Sequence, residues 1–295
     1  MIKELSVLSD LHLPHANLAK IRLKIEVEES ELILFAGDVL DAFDEKLLQE
    51  FLQTFADLPQ PKLLVLGNHD LWQDKPHTDA LYEDYLQFPW QEYGFHLLDK
   101  EPIIFGNTAF CGNMGWYDYS LRLTHDFDWP VIACDELLRW ETMNNDEIRN
   151  LLQTAATKSF KDLNESDFAR KILLVQNNGR WESLHWYDRL YINWGKSDQE
   201  MTAYFLHRLE EQLQETRGLE QVVVLHHAPI LPRLAAEGVL DAYLSAFNGS
   251  KRFWDLICQY DVKTVIHGHL HRKAVFTWKN VRVYSCYGLM DTIRI

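Results

Sequence analysis

Five short stretches of the chain set aspartate, asparagine and histidine close together. "SDLHLP" carries Asp10 and His12, "GDVLD" carries Asp38 and Asp41, and "GNHD" carries Asn68, His69 and Asp70. "HHAP" carries His226 and His227, and "VIHGHLHR" carries His267, His269 and His271. Carboxylate oxygen, imidazole nitrogen and amide oxygen in one set suit manganese, iron or zinc. Calcium asks for oxygen alone and structural zinc favours thiolates, so neither matches. The donors are too many for one ion, whereas two ions about 3.5–4 Å apart, sharing a carboxylate, would use them.

Something must bring these stretches together. Each follows a short run rich in Val, Ile and Leu: "ELSVLSD", "ELILFAGD", "KLLVLGN", "QVVVLHH" and "KTVIHGH". Such nearly continuous apolar runs read as strands buried on both faces. In α/β sheets ligands gather beyond the carboxyl ends of the strands, so five such ends can converge on one polar pocket. The segment 44–58 places Leu47, Leu48, Phe51, Leu52 and Phe55 at helical spacing. Alternating strand and helix predicts an α/β layered fold. "PIIFGNTAFCGN" and "AVFTWKNVRVYSC" read as hairpins, so antiparallel strands accompany the parallel ones. From about 115 to 215 tryptophans and charges mix, with helical character in "DEIRNLLQTAATKSFKDL" and "MTAYFLHRLEEQLQET". No linker-like composition marks a boundary. The expectation is a single domain over residues 1–295 with a largely helical insertion at about 115–215.

In order, "DLH", "GDVLD", "GNHD", "HHAP" and "GHLH" resemble the five blocks of the calcineurin-like metallophosphoesterases, and they frame the chain from residue 10 to 271. The resemblance implies an α/β (α+β) four-layer sandwich, with two mixed β-sheets packed face to face and helices outside. It implies that Asp10, His12 and His271 hold one metal, that Asn68, His227 and His269 hold a second, and that Asp38 bridges them. A hydroxide between the metals would attack phosphorus in line. His69 would protonate the leaving oxygen, and Asp41 would orient and charge His69. His227 is preferred over His226 because the family's ligand often sits two residues before a proline. Adjacent strand residues point to opposite sides, so His226 stands as the alternative. The family pattern starts at Gly268, where the strand is expected to end. His267 then falls outside it and is read as a packing or supporting residue. Asp70 is either a helix cap or a support behind the ligands. Trp116 and Tyr119, in "GNMGWYDYSLR", are expected to border the site. Arg272 is read as solvated.

The net charge of -15 repels phosphate backbones and anionic membranes. A nucleic-acid partner is therefore unexpected, and a nuclease of the same chemistry is the second reading. A non-catalytic scaffold is the third, although a scaffold usually loses ligands and none is missing here. Cys111, Cys134, Cys258 and Cys286 form no CxxC pair and read as reduced thiols. The first residues lack the apolar region of a signal peptide. No apolar run approaches the ~20 residues of a membrane span. The expectation is a cytoplasmic hydrolase that uses two transition-metal ions on a small phosphorylated substrate, mono- or diester left open.

Overall fold

Along β1 (Glu4–Ser9), β2 (Leu32–Ala36) and β3 (Lys62–Val65) nearly every side chain is buried, because both faces of their sheet are covered. Leu5, Val7, Leu32, Leu34, Leu63 and Val65 face a core that they share with Phe110, Val222, Val224 and Ile266 of a second sheet. The alternate residues Leu8, Ile33, Phe35 and Leu64 face outward into the core that holds Ile25, Leu48, Phe51 and Phe55. These last come from the helices Leu18–Glu28 and Glu45–Phe55. Period two along each strand thus supplies both an inter-sheet layer and a sheet–helix layer.

The computed structural model describes residues 2, 4–28, 30–123, 130–134, 150, 157–164, 167–168, 172–177, 180–233 and 236–295. In the first sheet β1, β2, β3 and β4 (Phe95–Leu97) are parallel. Two short strands, Gly288–Leu289 and Ile293–Arg294, add antiparallel on β1. The second sheet has a parallel centre of Thr108–Asn113, Glu220–Leu225, Val262–His267 and Val281–Ser285. Its edges, Ile103–Phe105 and Ala274–Trp278, are antiparallel. Both sheets are mixed, they pack on each other, and helices lie outside, as the resemblance implied.

Both expected hairpins form. The turn between Ala274–Trp278 and Val281–Ser285 is Lys279–Asn280, with φ of 47° and 68°. Two successive left-handed residues match the right-handed strand twist. The helix Glu45–Phe55 starts at Asp44, whose carboxylate accepts from Lys46 N and Leu47 N; such a cap contributes roughly 1 kcal/mol. The helix Asp198–Glu215 opens with a reciprocal capping box between Ser197 and Glu200 and buries Phe205, Leu209 and Leu213.

The expected insertion at about 115–215 holds strands as well as helix such as Asp198–Glu215. Its described residues include four antiparallel strands, Pro130–Cys134, Lys158–Ser159, Ile172–Asn177 and Arg180–Leu184, joined in one sheet. The apolar run "ILLVQ", followed by "NNG", carries the hairpin signal for two of them. Most of the stretch at 146–163 lies outside the described residues, but its end is the strand Lys158–Ser159 and a short 3-10 turn, Phe160–Asp162. Among the described residues no helix is long and apolar enough to cross a membrane.

Candidate metal centre

The five stretches meet at the carboxyl ends of the central strands. Their backbone is strained there: Asp10, His12, Asp38, His269 and His271 all have positive φ, between 46° and 68°. Non-glycine residues in this region cost about 1–3 kcal/mol each and cluster at functional sites. Hydrogen bonds hold the strained loops in place. Asp10 N donates to Gly37 O, and Asp10 accepts from His269 N at 3.0 Å and from Ser9 Oγ at 2.6 Å. A β-carbon on Gly268 would lie 1.9 Å from Ser9 Oγ, so only glycine lets the "GHLH" loop close on the end of β1.

The first donor group is Asp10, His12 and His271. His12 Nε2 and His271 Nε2 face each other at 3.1 Å, and Asp10 Oδ1 lies 3.4 Å from His271 Nε2. The His271 side chain is 49% exposed. Burial lowers the pKa of His12, whereas the bond to Asp10 raises that of His271. All three expected ligands are brought together.

The second group is Asp38, His226 and His269, of which Asp38 and His226 are fully buried. His226 Nδ1 lies 2.9 Å from Ala36 O, so that nitrogen carries its hydrogen. His226 Nε2 then faces Asn68 Oδ1 at 3.1 Å, Asp38 Oδ2 at 3.2 Å and His269 Nδ1 at 3.2 Å. One proton cannot satisfy so many converging lone pairs, and a cation can. Burial works against charge on His226, yet Asp38 outweighs it and raises the pKa to about 9. Burial also opposes the Asp38 charge, but His226 and His69 hold its pKa well below the usual range. Burial and the neighbouring His227 push His269 well down. Asp38 also stands 3.8 Å from His12 Nε2, between the groups, where a bridging carboxylate belongs.

His226, not His227, therefore completes the second group, which corrects the preference for His227. The physical reason is strand alternation. Val222 and Val224 face the first sheet, and His226 continues their side, while His227 continues that of Val223 and Leu225. Gly37 makes room, because a β-carbon there would sit 2.4 Å from His226 Nδ1. His227 is buried against Trp116 and Tyr117, with Nδ1 on Met114 O at 3.2 Å and its pKa pushed down to about 3 by burial. His267 is buried too, bonded to Gly268 O at 3.0 Å, and joins no donor group among the described residues.

His69 lies at the edge of the centre. Its Nδ1 is 2.8 Å from the Asp41 carbonyl and 3.6 Å from the Asp41 carboxylate, which is nearer to His12 Nδ1 at 3.2 Å. Asp41 thus positions His69 chiefly through the main chain and shares its carboxylate with His12. The ring stacks on Trp72 at 3.6 Å. Asp70 is not a helix cap: the next helix, Thr78–Gln87, begins after His77. Its buried carboxylate accepts from Leu40 N and Gly67 N, both at 2.8 Å, and ties two ligand loops together. Burial and the nearby Asp38 raise its pKa to about 7.

One residue that sequence reasoning missed comes from the insertion. Buried Asp188 accepts from Asn68 Nδ2 at 2.9 Å, Trp72 Nε1 at 2.6 Å and Trp186 Nε1 at 2.8 Å. A carboxylate can only accept from the amide nitrogen, so Asn68 must turn its oxygen toward His226. The "WYDR" stretch matches no block, and nothing local in the sequence signals this contact. Trp116 and Tyr119, expected at the border of the site, are instead buried and bonded to Asp198. Trp186 and Leu123 line the adjoining cavity in their place.

The calcineurin-like phosphoesterase pattern matches residues 5–273. Among solved structures the chain is similar to phosphopantetheinyl hydrolase from Mycobacterium tuberculosis, at 17% identity and a TM-score of 0.58, covering 97% of this chain and 90% of that one. It is also similar to the TT1561 protein of Thermus thermophilus, at 11% identity and a TM-score of 0.53, covering 99% and 95%. At these identities the likeness is one of fold. No curated protein matches the chain in sequence.

Proposed function

Since the chain belongs to the calcineurin-like phosphoesterase family, and so to the metal-dependent phosphoester hydrolases, we propose that it works with two transition-metal ions held by the two donor groups described above. Asp10, His12 and His271 would hold one ion, Asn68, His226 and His269 the other, and Asp38 would bridge them. Manganese, iron and zinc suit these donors. When bound, such ions supply Lewis acidity toward phosphoryl oxygens and lower the pKa of water.

The remaining work falls to the chain's own side chains. His69 faces the cavity beside Asp38, with its Nδ1 bonded to the Asp41 carbonyl. When protonated it has its Nε2–H to offer to a departing alkoxide. Trp72, stacked beneath and bonded to Asp188, keeps the ring in place. Asp188 keeps the Asn68 amide oxygen turned toward His226, where it would serve as a ligand to the second ion. The substrate is a small phosphoester that enters the cavity over His69 and His271.

The observation that carries this reading is the set of lone pairs converging on His226 Nε2 within 3.2 Å. Elemental analysis of the purified chain tests it. About two transition-metal ions per chain are expected, with hydrolysis of phosphomonoesters or diesters that is lost on chelation and restored by manganese, iron or zinc. A chain that binds no such ion and hydrolyses no phosphoester under any of them would overturn it.

A further inference from the structure

The cavity beside the donor groups has a far wall that hydrolysis itself does not need. The cavity holds about 350 Å³. Asp38, His69, His269 and His271 line one side of it; Leu123, Trp186, Leu231, Leu244 and Leu270 form an apolar part of its wall, which Arg233, Asp241, Ser245 and Asn248 also line. The Trp186 indole stacks on Phe247 at 4.9 Å, with the planes 13° apart, and its Nε1 is bonded to Asp188. It is a held surface, not a free side chain. Two charges on the wall are matched to each other: Arg233 pairs with Asp241, and also with Glu237 at 2.9 Å. The Asn248 side-chain amide also lines the cavity and has no hydrogen-bond partner among the described residues. Arg272, beside His271, has no carboxylate partner among them either and stands at the metal end.

We infer that this site selects phosphoesters whose alcohol is uncharged and largely apolar, several carbons long, over alcohols that carry a carboxylate or a further phosphate. The inference rests on the phosphoesterase reading above. An apolar chain laid along Trp186, Leu231, Leu244 and Leu270 leaves water without losing a hydrogen bond. A carboxylate laid against Trp186, Leu231, Leu244 and Leu270 would be stripped of water; Arg233 is already held by two acids, and Arg272, the lining cation without a carboxylate partner among the described residues, directly follows the ligand His271. Arg272 is placed for the phosphoryl oxygens, and Asn248 for a hydroxyl or amide along the alcohol.

Binding of phosphonates, which have no ester bond to hydrolyse, separates this inference from the reading beneath it. Calorimetry on the manganese-loaded full chain would compare hexylphosphonate with 2-carboxyethylphosphonate. Hexylphosphonate should bind roughly tenfold more tightly or better; equal or reversed affinities would overturn the substrate class. Leu244→Glu should lower hexylphosphonate affinity about tenfold and remove the preference; an unchanged preference would overturn the substrate class. The wild-type comparison stands even if this variant does not fold. Rates on hexyl phosphate, glycerol 3-phosphate and 3-phosphoglycerate, all esters of primary alcohols, complete the test. Similar kcat/KM on all three overturns the substrate class alone, and hydrolysis neither of these nor of a generic aryl mono- or diester with manganese, iron, zinc or magnesium overturns the phosphoesterase reading itself.

Discussion

The two donor groups use nearly the same chemistry in opposite surroundings. Asp10, His12 and His271 open to water through His271, which is half exposed, and that histidine stacks on the exposed Tyr287. Asp38, His226 and Asn68 are buried, and Asp188 of the insertion backs them. Buried charge is stable only when paired and fully bonded, so the second group depends on every neighbour and the first does not. An ion in the second group would also be caged, and one in the first could exchange through the open side. Position relative to the sheets, rather than ligand type, makes the two halves different.

Several changes would break or sharpen this contrast. The largest effect is expected from Asp38→Asn, which removes the carboxylate between the groups. Turnover of an aryl phosphoester should fall roughly a thousandfold or more, and near-normal turnover would refute a shared carboxylate. Next comes Asp188→Asn. Its new amide cannot accept from three N–H groups, so Asn68 loses its orientation. Affinity for one of two ions should drop by about 10–100-fold, read by metal titration, with the other unchanged. His271→Ala should weaken the exposed group instead, at little cost in melting temperature because a half-exposed side chain is lost. A stepwise chelator titration of the wild-type chain should release one equivalent well before the other; simultaneous loss would mean that the two groups do not differ. The smallest effect is expected from His267→Ala, which should keep both metals and reveal itself only as a modest fall in stability.

Much of this was legible in the chain. The five apolar runs became central strands because a strand covered on both faces leaves an unbroken apolar trace, and the donors follow each run directly. The resemblance of these five blocks to the family therefore pointed to Asp10, His12, Asp38, Asn68, His269 and His271. The choice between His226 and His227 could not be settled that way. Proline spacing pointed to His227, whereas alternation along "VVVLHH" puts the two on opposite faces without saying which face meets the other sheet. That depends on the inter-sheet packing of Val222 and Val224, a tertiary fact. Asp188 was illegible for the same reason: it lies 120 residues from Asn68 in sequence. The inserted sheet is a different case, since "ILLVQNNGRWESL" carries both a strand run and a turn that the surrounding helical texture masks.

The most direct test sets His226→Ala against His227→Ala, with bound metal counted in each purified chain. The account predicts that His226→Ala retains about one ion and has little turnover, while His227→Ala retains about two. If His227→Ala loses an ion and His226→Ala keeps both, the metal centre described here is wrong.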